Sequence, residues 1–324
     1  MIARYAILFF LLMGVVVVPL LAAGLCRVLL PRRYRKWAVI VCTLLIWGLV
    51  AYGSFVGFEQ LEVHRVEFAS GDLPASFDGY RIVQFSDAHV GTLAGHRQWM
   101  LQRAIDSINA LHPEVIVFTG DLQNIVPDEL PPFMQMLRQL HAKDGVYSVL
   151  GNHDYDTYQS CDESHKKLNR RKTIEAERKA GWQLLLNEHR WLYRGSDSIC
   201  LAGMENRGML KRMPQYGDVH ETLEGVADSA FVVMLQHDPS SWRETILPDS
   251  HAQLTLSGHT HGGQMLLFGW SPVELNNTEW RGMTYEGSRA IYVSTGVGAL
   301  IPFRLNMPGE IVVITLKKSS SSNG

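Results

Sequence analysis

Cysteine is scarce in this chain. Four occur in 324 residues, two of them (Cys26 and Cys42) inside long apolar runs and two (Cys161 and Cys200) far apart in the remainder. No Cys-x-x-Cys or metal-finger spacing is present, which argues against a structural zinc module or a thioredoxin-like redox pair. Cys161 and Cys200 are read as buried free thiols, with pairing open only in an oxidising compartment. An excess of positive charge is also missing. Lys and Arg number 30 against 32 Asp and Glu, for a formal net charge of −2. Such a balance lacks the basic surplus that binds a phosphate backbone, so no nucleic-acid partner is expected. There is no internal repeat, which removes solenoids and propellers. Low-complexity sequence is confined to residues 317–324, two lysines followed by four serines, read as a disordered tail.

What the chain has in excess is apolar sequence at one end. Residues 5–30 and 37–58 are almost wholly apolar, and each run is long enough to cross a hydrocarbon core. A cleaved signal peptide is the competing reading of the first run. That run is too long for a signal h-region, only Arg4 precedes it, and a second run follows at once. Residues 1–58 are therefore expected to form a two-helix transmembrane hairpin. Residues 31–36, Pro-Arg-Arg-Tyr-Arg-Lys, carry four cations between the runs. The positive-inside rule places them in the cytoplasm, so the rest of the chain is expected on the extracytoplasmic side of the cell (inner) membrane.

From residue 59 to 316 the composition is that of an ordinary globular domain. Strand-like runs at 63–68, 80–86, 115–119 and 146–150 alternate with helical patterns. One such pattern, 97–111, sets Leu101, Ala104, Ile105, Ile108 and Leu111 on one face; another opens at Pro131 and Pro132 and buries Phe133, Met136, Leu137 and Leu140. A basic stretch at 162–180 reads as a solvated helix face, with contact to anionic lipid as the alternative. Further short strands at 184–186, 199–202, 231–235, 254–256, 291–294 and 311–316 imply two packed sheets flanked by helices.

Polar clusters stand at the ends of these strands: Asp87-Ala88-His89, Gly120-Asp121, Gly151-Asn152-His153-Asp154, Gln236-His237-Asp238 and Gly258-His259-Thr260-His261. Strand carboxyl ends are where α/β sheets gather ligands. His259 and His261, at i and i+2 after a strand, are expected to point to one side towards a shared centre. Oxygen donors mixed with imidazole, without thiolate, suit Mn, Fe or Zn.

The order of these five blocks resembles the calcineurin-like metallophosphoesterase superfamily over about residues 80–316. Gly258 to Gln264, with Ser294-Thr295-Gly296-Val297-Gly298 and Pro302-Phe303-Arg304, is similar to its bacterial membrane-anchored phosphodiesterase branch. The resemblance implies a four-layer α/β/β/α sandwich. It implies one divalent ion on Asp87, His89, Asp121 and His261 and a second on Asp121, Asn152, His237 and His259, with manganese first and iron or zinc as alternatives. A hydroxide shared by the ions would attack a phosphate ester. His153 would protonate the leaving oxygen or stabilise the transition state, and Asp154 would orient His153 by a hydrogen bond. Gly120-Asp121 runs into Leu122-Gln123-Asn124, so the Asp-Arg-Gly of the Ser/Thr phosphatases and the tyrosine ligand of the purple acid phosphatases are both absent.

The function implied is a membrane-anchored dimetal phosphodiesterase acting on phosphate esters, phospholipid or lipid-linked substrates among them. The alternatives are a pyrophosphate hydrolase of a nucleotide-activated lipid precursor, and a non-catalytic metal-binding scaffold. A scaffold is expected to lose ligands, and none is missing here. Met204 to Tyr216 and Phe268 to Tyr285, with Trp270, Trp280, Arg207, Lys211, Arg212 and Arg281, are candidates for a lipid-facing rim.

Overall fold

The computed structural model describes residues 8–159, 161–209 and 213–319. The start of the first apolar run (5–7), Lys211 and Arg212 of the candidate rim, and residues 320–324 of the tail lie outside the described residues.

Two long helices come first. α1 covers Leu8–Leu29, with a π-turn over Leu12–Val17, and α2 covers Arg32–Phe55. Both are long and apolar enough to cross a membrane. The expected basic loop is shorter than the sequence suggested. Pro31 caps α2, and Arg32 to Lys36 form its first turns, because the fixed φ of proline suits a helix start. Leu20, Leu21, Leu25, Val28, Leu44 and Leu45 are each at least 60% exposed. A helix pair in a water-soluble core would bury such side chains, whereas lipid accepts them.

Twelve strands follow: β1 (Leu61–Ser70), β2 (Arg81–Phe85), β3 (Val115–Phe118), β4 (Val146–Ser148), β5 (Gln183–Leu184), β6 (Glu188–Arg194), β7 (Asp197–Gly203), β8 (Val232–Leu235), β9 (Leu254–Ser257), β10 (Gly282–Glu286), β11 (Arg289–Val293) and β12 (Gly309–Lys318). They make two six-stranded sheets, in the orders β1-β12-β2-β3-β4-β5 and β10-β11-β9-β8-β7-β6. β2, β3 and β4 of the first sheet and β7, β8, β9 and β11 of the second run parallel and are largely buried on both faces, which is why they read as continuous apolar runs, while β12 runs antiparallel to β2.

Between the sheets, Ile82, Val117, Val149 and Ile314 of the first meet Leu201, Val233, Leu235 and Leu256 of the second. On the outer face of the first sheet, Val83, Phe85, Ile116 and Phe118 pack against Leu101, Ile105 and Ile108 of α3 (Gln98–Ala110). The outer face of the second is covered by Trp242 and Ile246 against Ala202, Met234 and Ile291. The chain is thus an α/β/β/α sandwich. The basic stretch forms α4 (Glu163–Lys179), and Lys166, Arg171 and Lys179 pair with carboxylates of the same helix, as a solvated face does.

Several elements differ from the sequence reading. β6 and β10 were not anticipated; both are sheet edges, and β6 buries only Leu192. The helix after Pro131 and Pro132 is a single turn, Met134–Leu137, because the prolines hold a 3-10 turn over Pro131–Phe133. Lys317 and Lys318 are not tail residues: they pair with Ala69 and Ser70 in the β1–β12 ladder. Cys161 and Cys200 are free thiols, Cys161 half-buried and Cys200 buried. Burial pushes the Cys200 thiol up to about 12.

The register fixes where the helices meet the domain. Leu61 pairs with Gly309, and antiparallel β12 sets Val312 opposite Gln84. The start of β1 therefore lies beside the carboxyl ends of β2 and β3, and the helix pair arrives at that same end. Gly53 O accepts from Arg304 N (2.9 Å), Ser54 O from Arg97 Nη2 (3.2 Å) and Gln60 O from Gly309 N (2.9 Å). The Phe10 and Phe303 rings pack with centroids 4.6 Å apart. A Cβ at Gly57 would come within 1.9 Å of the Arg304 carbonyl oxygen, so only glycine permits this approach. Gly57→Ala is expected to cost about 1–3 kcal/mol through that clash. Thermal unfolding of the full chain in detergent checks this, and an unchanged Tm would show that the helices are not seated against the domain.

Candidate metal centre

Five loops at the carboxyl ends of β2, β3, β4, β8 and β9 carry the residues singled out from the sequence, and the structure brings all of them together. Their backbones are unusual. Asp87, His89, Asp121, His259 and His261 have φ of 52°, 40°, 62°, 74° and 53°. Left-handed backbone costs of order 1 kcal/mol for a residue with a side chain, and it persists where the surroundings over-determine it. It turns these side chains inward. His259 and His261 do face one centre, as expected, but the β9 pleat does not aim them: β9 ends at Ser257, and the two imidazoles go to adjoining groups within that centre. Gly120 is required for the same packing. At φ 96°, a Cβ there would lie 2.5 Å from Gly151 N and 2.7 Å from His237 Nδ1.

Asp87, His89 and His261 form one group. His261 Nε2 is 3.2 Å from His89 Nε2 and 3.5 Å from Asp87 Oδ1. Asp121, His237 and His259 form the other, joined by Asn152. His237 Nε2 is 3.2 Å from Asp121 Oδ2 and 3.1 Å from Asn152 Oδ1, and His259 Nδ1 is 2.8 Å from Asn152 Oδ1. Asp121 Oδ2 stands between the groups, 3.5 Å from His89 Nε2. Asp87, His89, Asp121, Asn152 and His237 are at most 1% exposed, while His259 borders the solvent opening.

The hydrogen bonds of the donor set fit it to cations. His237 Nδ1 lies 2.6 Å from the Thr119 carbonyl, an obligate acceptor, so Nδ1 carries the hydrogen. The Nε2 lone pair of the neutral ring then faces two oxygens, Asp121 Oδ2 and Asn152 Oδ1. Only positive charge reconciles three acceptors at one point, and a divalent cation supplies it. Without one, a proton takes the place: burial opposes it, but the Asp121 and Asp87 carboxylates push His237 up to about 10. In the other group burial and the neighbouring His153 hold His89 down at about 3, and burial lowers His261 too. Both imidazoles are thus neutral, the state that ligates metal. Clustered His and Asp side chains of this kind suggest a site for two metal ions.

His153 and Asp154 depart from the expected pairing. His153 Nδ1 is 2.5 Å from the Asn124 carbonyl, and its backbone N–H donates to Asp121 Oδ1 at 2.9 Å. Asp154 does not orient the His153 ring. Its carboxylate accepts four backbone N–H groups, from Asp121 (2.8 Å), Leu122 (3.0 Å), Gln123 (3.2 Å) and Gly151 (2.9 Å). It clamps the left-handed turn at Asp121, and burial together with the Asp121 carboxylate pushes it up to about 7.

Three contributors were not chosen from the sequence. Asn124 bonds His89 Nδ1 at 3.1 Å; Tyr158 accepts from Asn152 Nδ2 at 2.9 Å and packs on His153; Arg304 is fully buried and donates to the carbonyls of Thr295, Gly296, Gly298, Met307 and Pro308. No local signal marks the first two, whereas Arg304 stood in a motif without a role. At the rim, Met209, Met213, Asn276 and Asn277 line a cavity of about 360 Å³ beside His259. Phe268 is fully exposed, Trp270 is half-exposed, and the Trp280 carbonyl accepts from Thr260 Oγ1 at 2.6 Å.

Asp154→Asn keeps the shape but sets an amide NH₂ against backbone donors. The expected cost is about 1–3 kcal/mol, with a fall in bound metal as the Asp121 turn loosens. Metal analysis and thermal unfolding check it; normal metal content and stability would mean that Asp154 is not the clamp.

The family model for the calcineurin-like phosphoesterases matches residues 80–263. Similar proteins include the uncharacterized metallophosphoesterase YkuE of Bacillus subtilis (strain 168), 33% identical over 84% of this chain and 93% of the relative. A transmembrane protein with metallophosphoesterase domain from Danio rerio is 31% identical over 86% of this chain, which spans 63% of that relative. The UDP-2,3-diacylglucosamine pyrophosphatase LpxG of Chlamydia trachomatis serovar D is 28% identical over 77% of this chain and 88% of the relative. The two apolar helices and the transmembrane relative together suggest membrane anchoring, and the family implies phosphoester hydrolysis. By the family match and by its relatives, the chain belongs to the calcineurin-like phosphoesterases.

Proposed function

We propose that residues 59–316 form the catalytic domain of a membrane-anchored phosphodiesterase whose substrate is a lipid phosphate ester in the adjacent leaflet. The observation that carries this reading is the meeting of the helix pair and the metal-site loops at one end of the sandwich. Arg304, whose N–H reaches Gly53 O, also gathers the loop beside Asp87. The exposed Phe268–Trp270 tip joins the same end, since Leu266 N donates to Leu305 O at 2.9 Å. A tether of a few residues holds such a site at high effective concentration over the membrane surface.

Asp87, His89, Asp121 and His261 would hold one ion and Asp121, Asn152, His237 and His259 the other, with manganese, iron or zinc suited to the oxygen and imidazole donors. When bound, such ions supply Lewis acidity, activating water and neutralising the phosphoryl oxygens. The chain's own groups do the rest. The Thr119 carbonyl fixes the His237 tautomer, and Asn124 fixes His89. The His153 N–H steadies Asp121, and the Asn124 carbonyl holds His153 Nδ1, leaving Nε2 to exchange a proton with the leaving oxygen. His153→Asn is expected to leave metal content near normal and to lower turnover of vesicle phospholipid by about two to four orders of magnitude. An ester with a good leaving group should suffer less; equal losses would refute proton donation. If the manganese-loaded chain attacks no lipid presented in vesicles, the lipid-substrate reading fails.

A second reading, hydrolysis of the pyrophosphate of a nucleotide-activated lipid, is supported by the pyrophosphatase of Chlamydia trachomatis among the relatives. The two differ in the side of the membrane. Arg32, Arg33, Arg35 and Lys36 favour an extracytoplasmic domain, whereas activated nucleotides are cytoplasmic. A reporter fused after Gly324 is expected to be active as an extracytoplasmic fusion only. A cytoplasmic signal would reverse the orientation and promote the nucleotide-lipid substrate.

A further inference from the structure

Where α1 and α2 reach the domain, they leave a groove of about 360 Å³. Val15, Trp47, Val50 and Ala51 line it from the helices, and Ile301 and Pro302 from the domain. Trp47 Nε1 is spent on the Val15 carbonyl at 2.9 Å, so the indole offers the groove an apolar face. Arg97 is its single charged lining residue. One guanidinium nitrogen bonds Ser54 O at 3.2 Å and the group lies over the Phe58 ring, yet Nε is buried without a hydrogen-bond partner. No carboxylate pairs with Arg97 among the described residues, so an unbalanced cation borders an apolar slot. The slot begins at the level where the helices expose apolar side chains, and its natural filling there is hydrocarbon.

The domain wall of the groove is continuous with the metal-site loops. Gly298 N donates to Asp87 O at 2.9 Å. Thr92 Oγ1 donates to the His89 and Ala299 carbonyls at 2.9 and 3.1 Å. Gln264, three residues after His261, donates to Ile301 O at 3.0 Å. We propose that the groove seats the first acyl carbons of an anionic phospholipid, with Arg97 beside the phosphate, and brings the phosphoester to the loops of Asp87, His89 and His261. This rests on the lipid-substrate reading above only for the identity of the occupant as substrate; occupancy itself is measured without turnover.

The experiment uses the full chain in phosphatidylcholine vesicles containing phosphatidic acid with a photoactivatable acyl chain, and maps the adducts by mass spectrometry. Labelling is expected to concentrate on residues 47–55 and 301–302 over the lipid-facing Leu21 and Leu25. Arg97→Gln should reduce it about tenfold, the value of one charge-assisted contact. Ala51→Trp, which fills the slot, should displace it; the wild-type map and Arg97→Gln decide the matter should that variant not fold. Uniform labelling along both helices, or equal labelling by a phosphatidylcholine probe, would overturn the proposal. Concentrated labelling without hydrolysis of any vesicle lipid would support the groove and reject the lipid-substrate reading. Hydrolysis with uniform labelling would do the reverse.

Discussion

The shared carboxylate of Asp121 sets the constraint on which the centre depends. Its Oδ2 lies between His237 Nε2 and His89 Nε2, at 3.2 and 3.5 Å, in a place closed to water. Lone pairs and carboxylate oxygens converge there, and a buried convergence of acceptors is unstable without positive charge. Five left-handed residues are needed to aim the side chains, each at a cost of order 1 kcal/mol. The Asp154 clamp, with four charge-assisted backbone bonds, offsets part of that cost at Asp121, and metal binding would stabilise the folded state by its own free energy. Catalytic geometry and fold stability are therefore coupled at one carboxylate.

Arg304 extends the coupling outward. A guanidinium with no exposed surface usually needs a carboxylate, yet this one collects five carbonyls along residues 295–308. Burial lowers it to about 10, which still leaves it charged at neutral pH. A planar fork can serve several carbonyls at once, and a lysine ammonium cannot match that geometry. The same loop packs Gly298 against Ala88 on one side and hands Arg304 N to Gly53 O on the other. The helix pair is thus linked, through one loop whose Gly298 N donates to Asp87 O, to Asp87 itself.

Much of this was legible in the sequence, for physical reasons that also mark where legibility ended. The buried parallel strands and α3 announced themselves by composition and period, because burial on two faces or on one helical face leaves a pattern. Asp87, His89, Asp121, Asn152, His237, His259 and His261 were found because their chemistry is rare at strand ends, and all of them converge. The edge strands β6 and β10 were missed since a half-solvated edge tolerates the Glu, Arg and Tyr they carry. The resemblance implied that Asp154 orients the His153 ring, whereas the backbone amides around the left-handed turn at Asp121 take the carboxylate instead. Asn124 and Tyr158 reach the site through loop geometry, which leaves no periodic trace. Lys317 and Lys318 looked like the start of a polar tail, but parallel pairing with β1 does not ask for apolar side chains at its end.

The division of donors between the sheets explains why two sheets are needed at all. The first supplies the oxygens, from Asp87, Asp121 and Asn152, with one imidazole, His89. The second supplies His237, His259 and His261. Neither sheet alone holds a complete group, so the inter-sheet distance sets the distances between ligands. Directly beneath the site, Gln84 Nε2 of β2 donates to Ser257 O of β9 at 2.8 Å and to Thr119 Oγ1 at 3.1 Å. His237 Nδ1 crosses in the opposite sense to the Thr119 carbonyl. Apolar packing such as Val117 against Leu235 brings the sheets together without fixing their register, since dispersion is non-directional. Buried hydrogen bonds are directional and costly to leave unmade, and these polar links are what convert a packed sandwich into a centre with defined ligand positions.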